Sequence, residues 1–590
     1  MNAIHYDIIP QNPHAHLFEI RCHVAHPDPN GQQFYLPVWT IGSYLIREFA
    51  RHIVEIRAEA GGNPLKLSKI NKNTWQAIPT QEKITVIYSI YAKEMSVRTA
   101  YLDAQRAFFN GSNVFLAVKN QESQPCSINI DYLQTLAKFN IATTLQKKDT
   151  FYYAENYFDL IDHPVEISSF ESVDFTAANI PHQMIISGQT NVDLKKLAHD
   201  VQKICETIIS FWGEKPPFQN YLFLVHATHD GYGGLEHQDC TALICNREDL
   251  PLLNHTKNPE HYQRFLGLCS HEYFHAWHVK KIKPISFQSI DLNQENYTQQ
   301  LWIFEGLTSY YDDLLLLRSG CISQKDYLSL VAQNISRVWR SNGRFKQSIA
   351  DASFDTWIKA YRPDENTPNA TISYYAKGAM VALALDLKLR LESSISLDQI
   401  MKYLWNEYGL KNKGLQEGEF ESIVEQLSGL DLKDFFEQYV YRTQDPPLKE
   451  LFVEFGISLQ ARAADSQQDN GGKASKINKI SSLGLRYKTE GDFLKITHVF
   501  SNSAAEQAGL SANDLIVSIN GIKVTANRLD KCGLLEPNTS LEIHVFRDEI
   551  LQSHHLILQA ASLDTCVLTL ENKVSQTIEK RRQQWLENTK

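Results

Sequence analysis

The sequence has little that would carry it into a membrane or onto nucleic acid. No segment approaches the roughly 18 consecutive apolar residues that a membrane-spanning helix needs. The first residues, Met1-Asn2-Ala3-Ile4-His5-Tyr6-Asp7, lack a basic stretch followed by an apolar one, so no secretory leader is expected. Basic blocks are scarce too: Lys280-Lys281 and Lys580-Arg581-Arg582 are short, and the net charge is −10. A nucleic-acid binder carries a basic footprint, and this composition excludes one overall. Cysteine is sparse and unpaired in pattern. The nine cysteines are scattered over 590 residues, none in a Cys-x-x-Cys pair, with Cys240 and Cys245 the nearest neighbours. That argues against a disulfide framework and fits a reducing, cytoplasmic compartment.

What is present is an ordinary globular composition, 43% hydrophobic and 21% charged, in a chain too long for one core. The pattern predicts a multidomain α+β protein. Residues 1–165 read as strands: Leu17-Phe18-Glu19-Ile20, Ile53-Val54-Glu55-Ile56 and Ile84-Thr85-Val86-Ile87-Tyr88 are separated by turn signals such as Gly61-Gly62-Asn63-Pro64 and Asn110-Gly111-Ser112-Asn113. Residues 166–447 are dominated by helical spacing, with a helix start at Asn258-Pro259, a capping box at Ser323 to Asp326, and one clear strand at Tyr221 to Val225. Residues 448–563 turn back to strands, from Leu451–Leu459 onward. They include a polar, flexible loop over 462–479 and a hairpin at Asn520-Gly521. Residues 564–590 read as a charged helix or tail.

The most informative segment is His271-Glu272-Tyr273-Phe274-His275. On a helix, positions i and i+4 share a face, so both imidazoles can hold one zinc ion. Glu272 lies one residue round, placed to take a proton from the attacking water rather than to bind the metal. Zinc catalysis wants three protein ligands and one open position. The third is expected in Leu301-Trp302-Ile303-Phe304-Glu305-Gly306-Leu307-Thr308, an apolar helix with a carboxylate on its inner face. Burying Glu305 unpaired would be costly, and coordination explains it. Glu295, in a polar loop stretch, is the alternative. Asp312 lies about two turns beyond Glu305 and is a candidate to orient a ligand histidine through its second nitrogen. His278 reads as a core or supporting residue, since a fourth protein ligand would close the open position.

These motifs, in this order, resemble those of the gluzincin peptidases. Gly233-Gly234-Leu235-Glu236-His237 resembles the Gly-x-x-Glu substrate strand of zinc aminopeptidases, and Tyr375-Ala376-Lys377-Gly378 resembles their Tyr-x-Lys-Gly segment. Together with Pro37 to Arg51, which looks like a further signature, the whole chain most closely resembles the M61 glycyl aminopeptidase family. The resemblance implies an N-terminal β-sandwich-like domain, a thermolysin-like, mainly helical catalytic domain and a C-terminal PDZ domain. It implies one zinc ion per chain on His271, His275 and Glu305, with Glu272 as the acid–base residue. Tyr375 would donate to the oxyanion, with its neighbour Tyr374 the alternative. Glu236 would hold the substrate's free amine, and Gly233 and Gly234 would let substrate backbone approach. The segment between His275 and Glu305 is longer than in the better-known M1 aminopeptidases, which puts Glu305 in some tension with Glu295.

The implied activity is removal of N-terminal residues, small ones such as Gly or Ala, from peptides with a free N-terminus. A zinc endopeptidase of the same fold and a non-catalytic PDZ adaptor are the alternatives. The intact Glu272 argues against the adaptor. Leu483-Gly484-Leu485-Arg486 resembles a PDZ carboxylate-binding loop. Gly484 and Leu485 would there receive peptide C-termini by strand addition, unless the module only packs on the catalytic domain.

Overall fold

Alternating burial along the first strands creates the first sheet. In Leu17–Val24, Phe18, Ile20, Cys22 and Val24 point inward and the residues between them are more exposed, the period-two pattern of a half-buried strand. The computed structural model describes residues 4–131, 136, 138–213, 215–253 and 260–587. The helix start expected at Asn258-Pro259 lies outside these. The chain divides into two compact units, Met1–Tyr297 with Leu404–Gly414, and Thr298–Tyr403 with Leu415–Lys590.

The first unit opens with the β-rich domain. Its eight-stranded sheet is built around Ile4–Asn12, which pairs antiparallel with Leu17–Val24 and parallel with Cys126–Ile130. Two four-stranded sheets complete the domain. Asn110-Gly111-Ser112-Asn113, expected as a turn, instead leads into a buried one-turn helix, Gly111–Val114. A mixed five-stranded sheet follows: β1 (Glu171–Ala177), β2 (Ile180–Ser187), β3 (Tyr221–Thr228), β4 (Gly233–Glu236) and β5 (Cys240–Asn246), in the order β1-β2-β3-β5-β4. The glycine-rich strand β4 is therefore an edge strand, antiparallel to β5. Helix α1 (Leu194–Trp212) buries Leu197, Val201, Ile204, Cys205 and Ile208 at helical spacing. Asp193 caps its start, and Gly213, at φ 78°, ends it. Helix α2 (Glu260–Phe274) lies against β4 and β5.

The second unit is mainly helical at first. A π-helical stretch, Trp302–Leu307, runs into α3 (Thr308–Arg318). Helix α4 (Gln324–Trp339) starts with the expected capping box between Ser323 and Asp326. Helix α5 (Tyr374–Glu392) is buried nearly all round, as a central helix must be. Residues 448–453 form a helix behind Pro447 rather than the expected strand, which begins only at Ile457.

The strand Ile457–Arg462 pairs with Thr565–Leu570, so residues 564–590 begin as a strand before helix Gln576–Leu586. Between them lies the PDZ module, with β6 (Leu485–Glu490), further antiparallel strands and helix α6 (Ala526–Lys531) around a core of Ile496, Ile516, Ile543 and Val545. Asn520 and Gly521, at φ 51° and 72°, make the predicted tight hairpin. The 462–479 loop is irregular but tied down: Arg462 pairs with Asp469, and Gly472 N donates to Cys566 O at 2.9 Å. All nine cysteines are buried free thiols. No helix among the described residues is long and apolar enough to cross a membrane.

Candidate metal and peptide site

Helix α2 ends at Phe274, so His271 sits in its last turn and His275 in the turn that follows. His275 N still donates to His271 O, at 3.3 Å, so the one-turn spacing survives the helix end. His275 Nδ1 donates to the backbone carbonyl of His278 at 2.8 Å, which fixes the ring and leaves Nε2 as the lone-pair nitrogen. That Nε2 lies 3.0 Å from Nε2 of His271. The expected supporting role of His278 thus falls to its backbone, while its side chain is fully buried.

Glu305 sits on the π-helical stretch, only 2% exposed. Single π-turns concentrate at functional sites because they re-aim one side chain within an otherwise regular helix. Ligand-capable atoms of His271, His275 and Glu305 all lie within 4.8 Å of one another. Two imidazoles and one carboxylate are a common zinc donor set for hydrolysis, so the residues present fit that ion. Glu295 is half-buried in the loop after Leu292, whose carbonyl accepts from Val38 N at 2.9 Å.

Two glycines in the motifs have a packing role that motif-reading did not anticipate. A Cβ on Gly306 would lie 2.7 Å from the Cα of Gly378, so the Glu305 stretch and α5 touch backbone to backbone. That contact belongs to the same two motifs that carry Glu305 and Tyr375. Thr308 Oγ1 donates to Phe304 O at 2.6 Å and completes the turn. Tyr374 is fully buried, with its hydroxyl 2.9 Å from Thr356 Oγ1. Tyr375 is half-buried, its hydroxyl 3.3 Å from that of Tyr361. Burial first, and then the Glu305 carboxylate, push the Tyr375 phenol well above its ordinary pKa, which keeps it a proton donor. Lys377, two residues after Tyr375, points away: its ammonium is buried against Thr443 O and Asp445. Asp312 is half-buried on α3 and accepts from Asp313 N.

In the first unit, Gly234 and Glu236 share one face of β4. The Glu272 carboxylate occupies the space that a side chain at Gly234 would fill: an added Cβ would lie 2.1 Å from Glu272 Oε1. The glycine thus seats the Glu272 carboxylate, a packing reason for a glycine at this position. Glu236 is 5% exposed and seated in the same way. Gly42, at φ 88°, presses its backbone on that carboxylate, and a Cβ there would lie 2.5 and 2.7 Å from its two oxygens. Behind Glu236, Asp162 accepts from Lys280 Nζ at 2.7 Å and from Gln238 N at 3.1 Å, and it also meets His237 Nδ1. Burial alone would raise the Asp162 pKa, but the Lys280 ammonium and His237 outweigh it and hold the carboxyl well below its usual range. The signal for the Gly42 contact lay in the segment from Pro37 to Arg51, but its partner, nearly two hundred residues on, did not.

The PDZ groove between β6 and α6 opens into a cavity of about 540 Å³. Gly484, at φ 75°, donates to Ser482 Oγ at 3.0 Å, and Leu485 packs on the module's core. Along β6, Tyr487 N donates to the side chain of Gln467 at 3.2 Å, and Tyr487 Oη donates to Asp530 on α6 at 3.0 Å.

Comparisons with known proteins bear on all three modules. Residues 5–169 match the Peptidase M61 N-terminal domain, residues 264–381 match M61 glycyl aminopeptidase and residues 473–545 match the PDZ domain. A crystal structure of an aminopeptidase N family protein from Idiomarina loihiensis is 37% identical, with a TM-score of 0.95. The match covers 99% of this chain and 100% of that one. An M1 zinc metallopeptidase from Deinococcus radiodurans bound to a Tyr-Ser-Ala substrate is 12% identical over 76% of this chain and 95% of its own, with a TM-score of 0.47. No curated protein matches the chain.

Proposed function

Since the chain belongs to the M61 glycyl aminopeptidase family and is a metallo-aminopeptidase, we propose that it removes small N-terminal residues, Gly or Ala, using one zinc ion on His271, His275 and Glu305. The observation that carries this reading is the approach of those three side chains within 4.8 Å. A zinc ion held there would polarise the scissile carbonyl and acidify the attacking water.

The chain's own residues supply the rest. Glu272, held against Gly234, accepts the proton from the attacking water and hands it to the leaving amine. Tyr375, kept protonated, donates a hydrogen bond to the developing oxyanion. Its half-buried side chain favours it over Tyr374, which is fully buried with its hydroxyl held at Thr356. Glu236 accepts the substrate ammonium, its carboxylate fixed by Gly42. The backbone carbonyl of His278 orients His275, and we propose that Asp312 orients a ligand histidine in the same way. Peptide C-termini would enter the PDZ groove at Gly484 and Leu485 once Gln467 is displaced from β6.

The test compares zinc content and hydrolysis of Gly and Ala amide reporters in wild type, Glu272→Gln and Glu236→Ala. Glu272→Gln is expected to keep zinc and lose at least a thousandfold in kcat. Glu236→Ala is expected to raise KM for free-amine substrates far more than it lowers kcat. Efficient cleavage of N-acetylated peptides by the wild type would favour an endopeptidase. A zinc-loaded wild type that cleaves no peptide would defeat the proposal.

A further inference from the structure

The β-rich domain reaches the edge strand β4 at a second point besides Gly42. Arg98 Nη2 donates to Gly234 O at 2.9 Å, and its guanidinium lies over Gly233, 3.4 Å from where a Cβ would be. The backbone of Arg98 is held from behind by a buried polar group. Asn113 Nδ2 donates to Arg98 O at 3.3 Å and to Thr40 Oγ1 at 3.2 Å, and Thr40 Oγ1 lies 2.9 Å from Ser112 Oγ. The guanidinium itself is poorly matched. Its Nε is buried without a hydrogen-bond partner, and it forms no ion pair among the described residues. A guanidinium cannot shed its charge, so a buried N–H left unmatched on it is a cost that a planar anion would relieve.

The direction of the substrate along β4 says which anion arrives there. This step rests on the reading that Glu236 holds the amine and Glu272 serves the scissile bond. Glu236 stands at the C-terminal end of β4, and the Glu272 carboxylate lies against Gly234, two residues earlier on the same face. A peptide that has its ammonium at Glu236 and its scissile bond near Gly234 therefore runs antiparallel to β4. Its leaving residue arrives at Gly233, beneath Arg98. Arg98 also takes the Gly234 carbonyl, an acceptor that a longer strand added to this edge would use.

We propose that Arg98 binds a carboxylate on the leaving residue, so that substrates carrying a carboxylate one residue beyond the scissile bond are preferred. The carboxylate has two sources, the C-terminus of a dipeptide or an acidic side chain at that position. Arginine suits both because its fork matches a carboxylate with two parallel hydrogen bonds.

The full-length zinc enzyme, as wild type, Arg98→Gln and Arg98→Lys, is assayed on Ala-Ala, Ala-Ala-amide and Ala-Glu-amide. Metal content and Tm are read in parallel. For the wild type, kcat/KM is expected to be at least tenfold higher on Ala-Ala than on Ala-Ala-amide, with the difference in KM. In Arg98→Gln that ratio falls towards one, and Arg98→Lys restores part of it. A preference for Ala-Glu-amide over Ala-Ala-amide, lost in the same variant, would identify the side chain as the second source. Wild-type hydrolysis with no preference for either carboxylate, or a preference that survives in Arg98→Gln, overturns the inference and leaves the aminopeptidase reading standing. A zinc-loaded wild type that hydrolyses none of the three overturns both.

Discussion

Replacing Gly234 by Ala tests whether the fit of β4 around Glu272 matters to catalysis. The added methyl would lie 2.1 Å from Glu272 Oε1, 2.3 Å from Cδ and 2.5 Å from Cγ. Ordinary contact begins at about 3.4 Å, so the carboxylate must retreat by about 1.3 Å. Glu272 is only 5% exposed, and a buried side chain has few alternative rotamers to retreat into. A misplacement of about 1 Å in a reacting group costs on the order of a hundredfold in rate, about 2.7 kcal/mol of barrier. The expected result is therefore a fall in kcat of about a hundredfold on an alanine anilide, with zinc content and secondary structure retained, since Gly234 itself carries no ligand. Stopped assays across substrate concentration separate kcat from KM, and metal analysis of the same preparation controls for loading. If Gly234→Ala keeps zinc and retains kcat within threefold of wild type, Glu272 is not the group whose position limits the reaction.

Gly42→Ala should act on the amine site instead: its Cβ would strike both Glu236 oxygens, and a left-handed backbone costs a residue with a side chain about 1–2 kcal/mol. KM for free-amine substrates is expected to rise about tenfold with kcat little changed, and an unchanged KM in a folded variant would exclude the contact from recognition. Glu305→Gln is expected to lower bound zinc and activity together, both measured after dialysis against a weak chelator; full zinc retention would point to another third ligand. Burial pushes the His182 imidazole down to about 4 from 6.5, while its ring nitrogens meet Ile180 O and Tyr273 Oη. The unfolded chain takes up this proton below 6.5 and the fold does not until about 4, so stability falls as pH drops through that window. At pH 5 the loss is about 2 kcal/mol relative to pH 7, and urea unfolding of His182→Gln should show a flatter acid limb by that amount. Gln467→Ala should free the Tyr487 amide and tighten binding of a C-terminal peptide to the full chain, read by fluorescence anisotropy; equal affinity would mean that the groove is not limited by that contact.

Local spacing made much of the site readable. The His271 to His275 interval, the carboxylate among Trp302, Ile303 and Phe304, and the alternation of the first strands are all short-range patterns with one dominant structural solution. What could not be read depended on distant partners. Gly306 and Gly378 look like generic helix-breakers until their backbones are seen to touch, and the π-winding around Glu305 has no composition of its own. Gly42 and Arg98 meet β4 across long sequence separations, which no window of a dozen residues contains. Residues 451–456 misled for the opposite reason. Leu451, Phe452 and Val453 suit a strand by propensity, but Pro447 and the packing of Leu448 and Phe452 wind them into a helix. Thr565–Leu570 was hidden because its partner, Ile457–Arg462, lies about a hundred residues upstream.

That last pairing has an engineering consequence. Arg462 stands opposite Thr565 in the two-stranded ladder, so the PDZ module leaves and re-enters its host through two backbones a single strand spacing apart, about 5 Å. The module is thus a splice rather than an appendage, suspended from both ends like a bead on a loop of thread. A tight turn of two to four residues would bridge the gap if everything from 463 to 564 were cut out, with the ladder's register intact. Any unrelated domain whose own termini lie side by side could be grafted at the same seam.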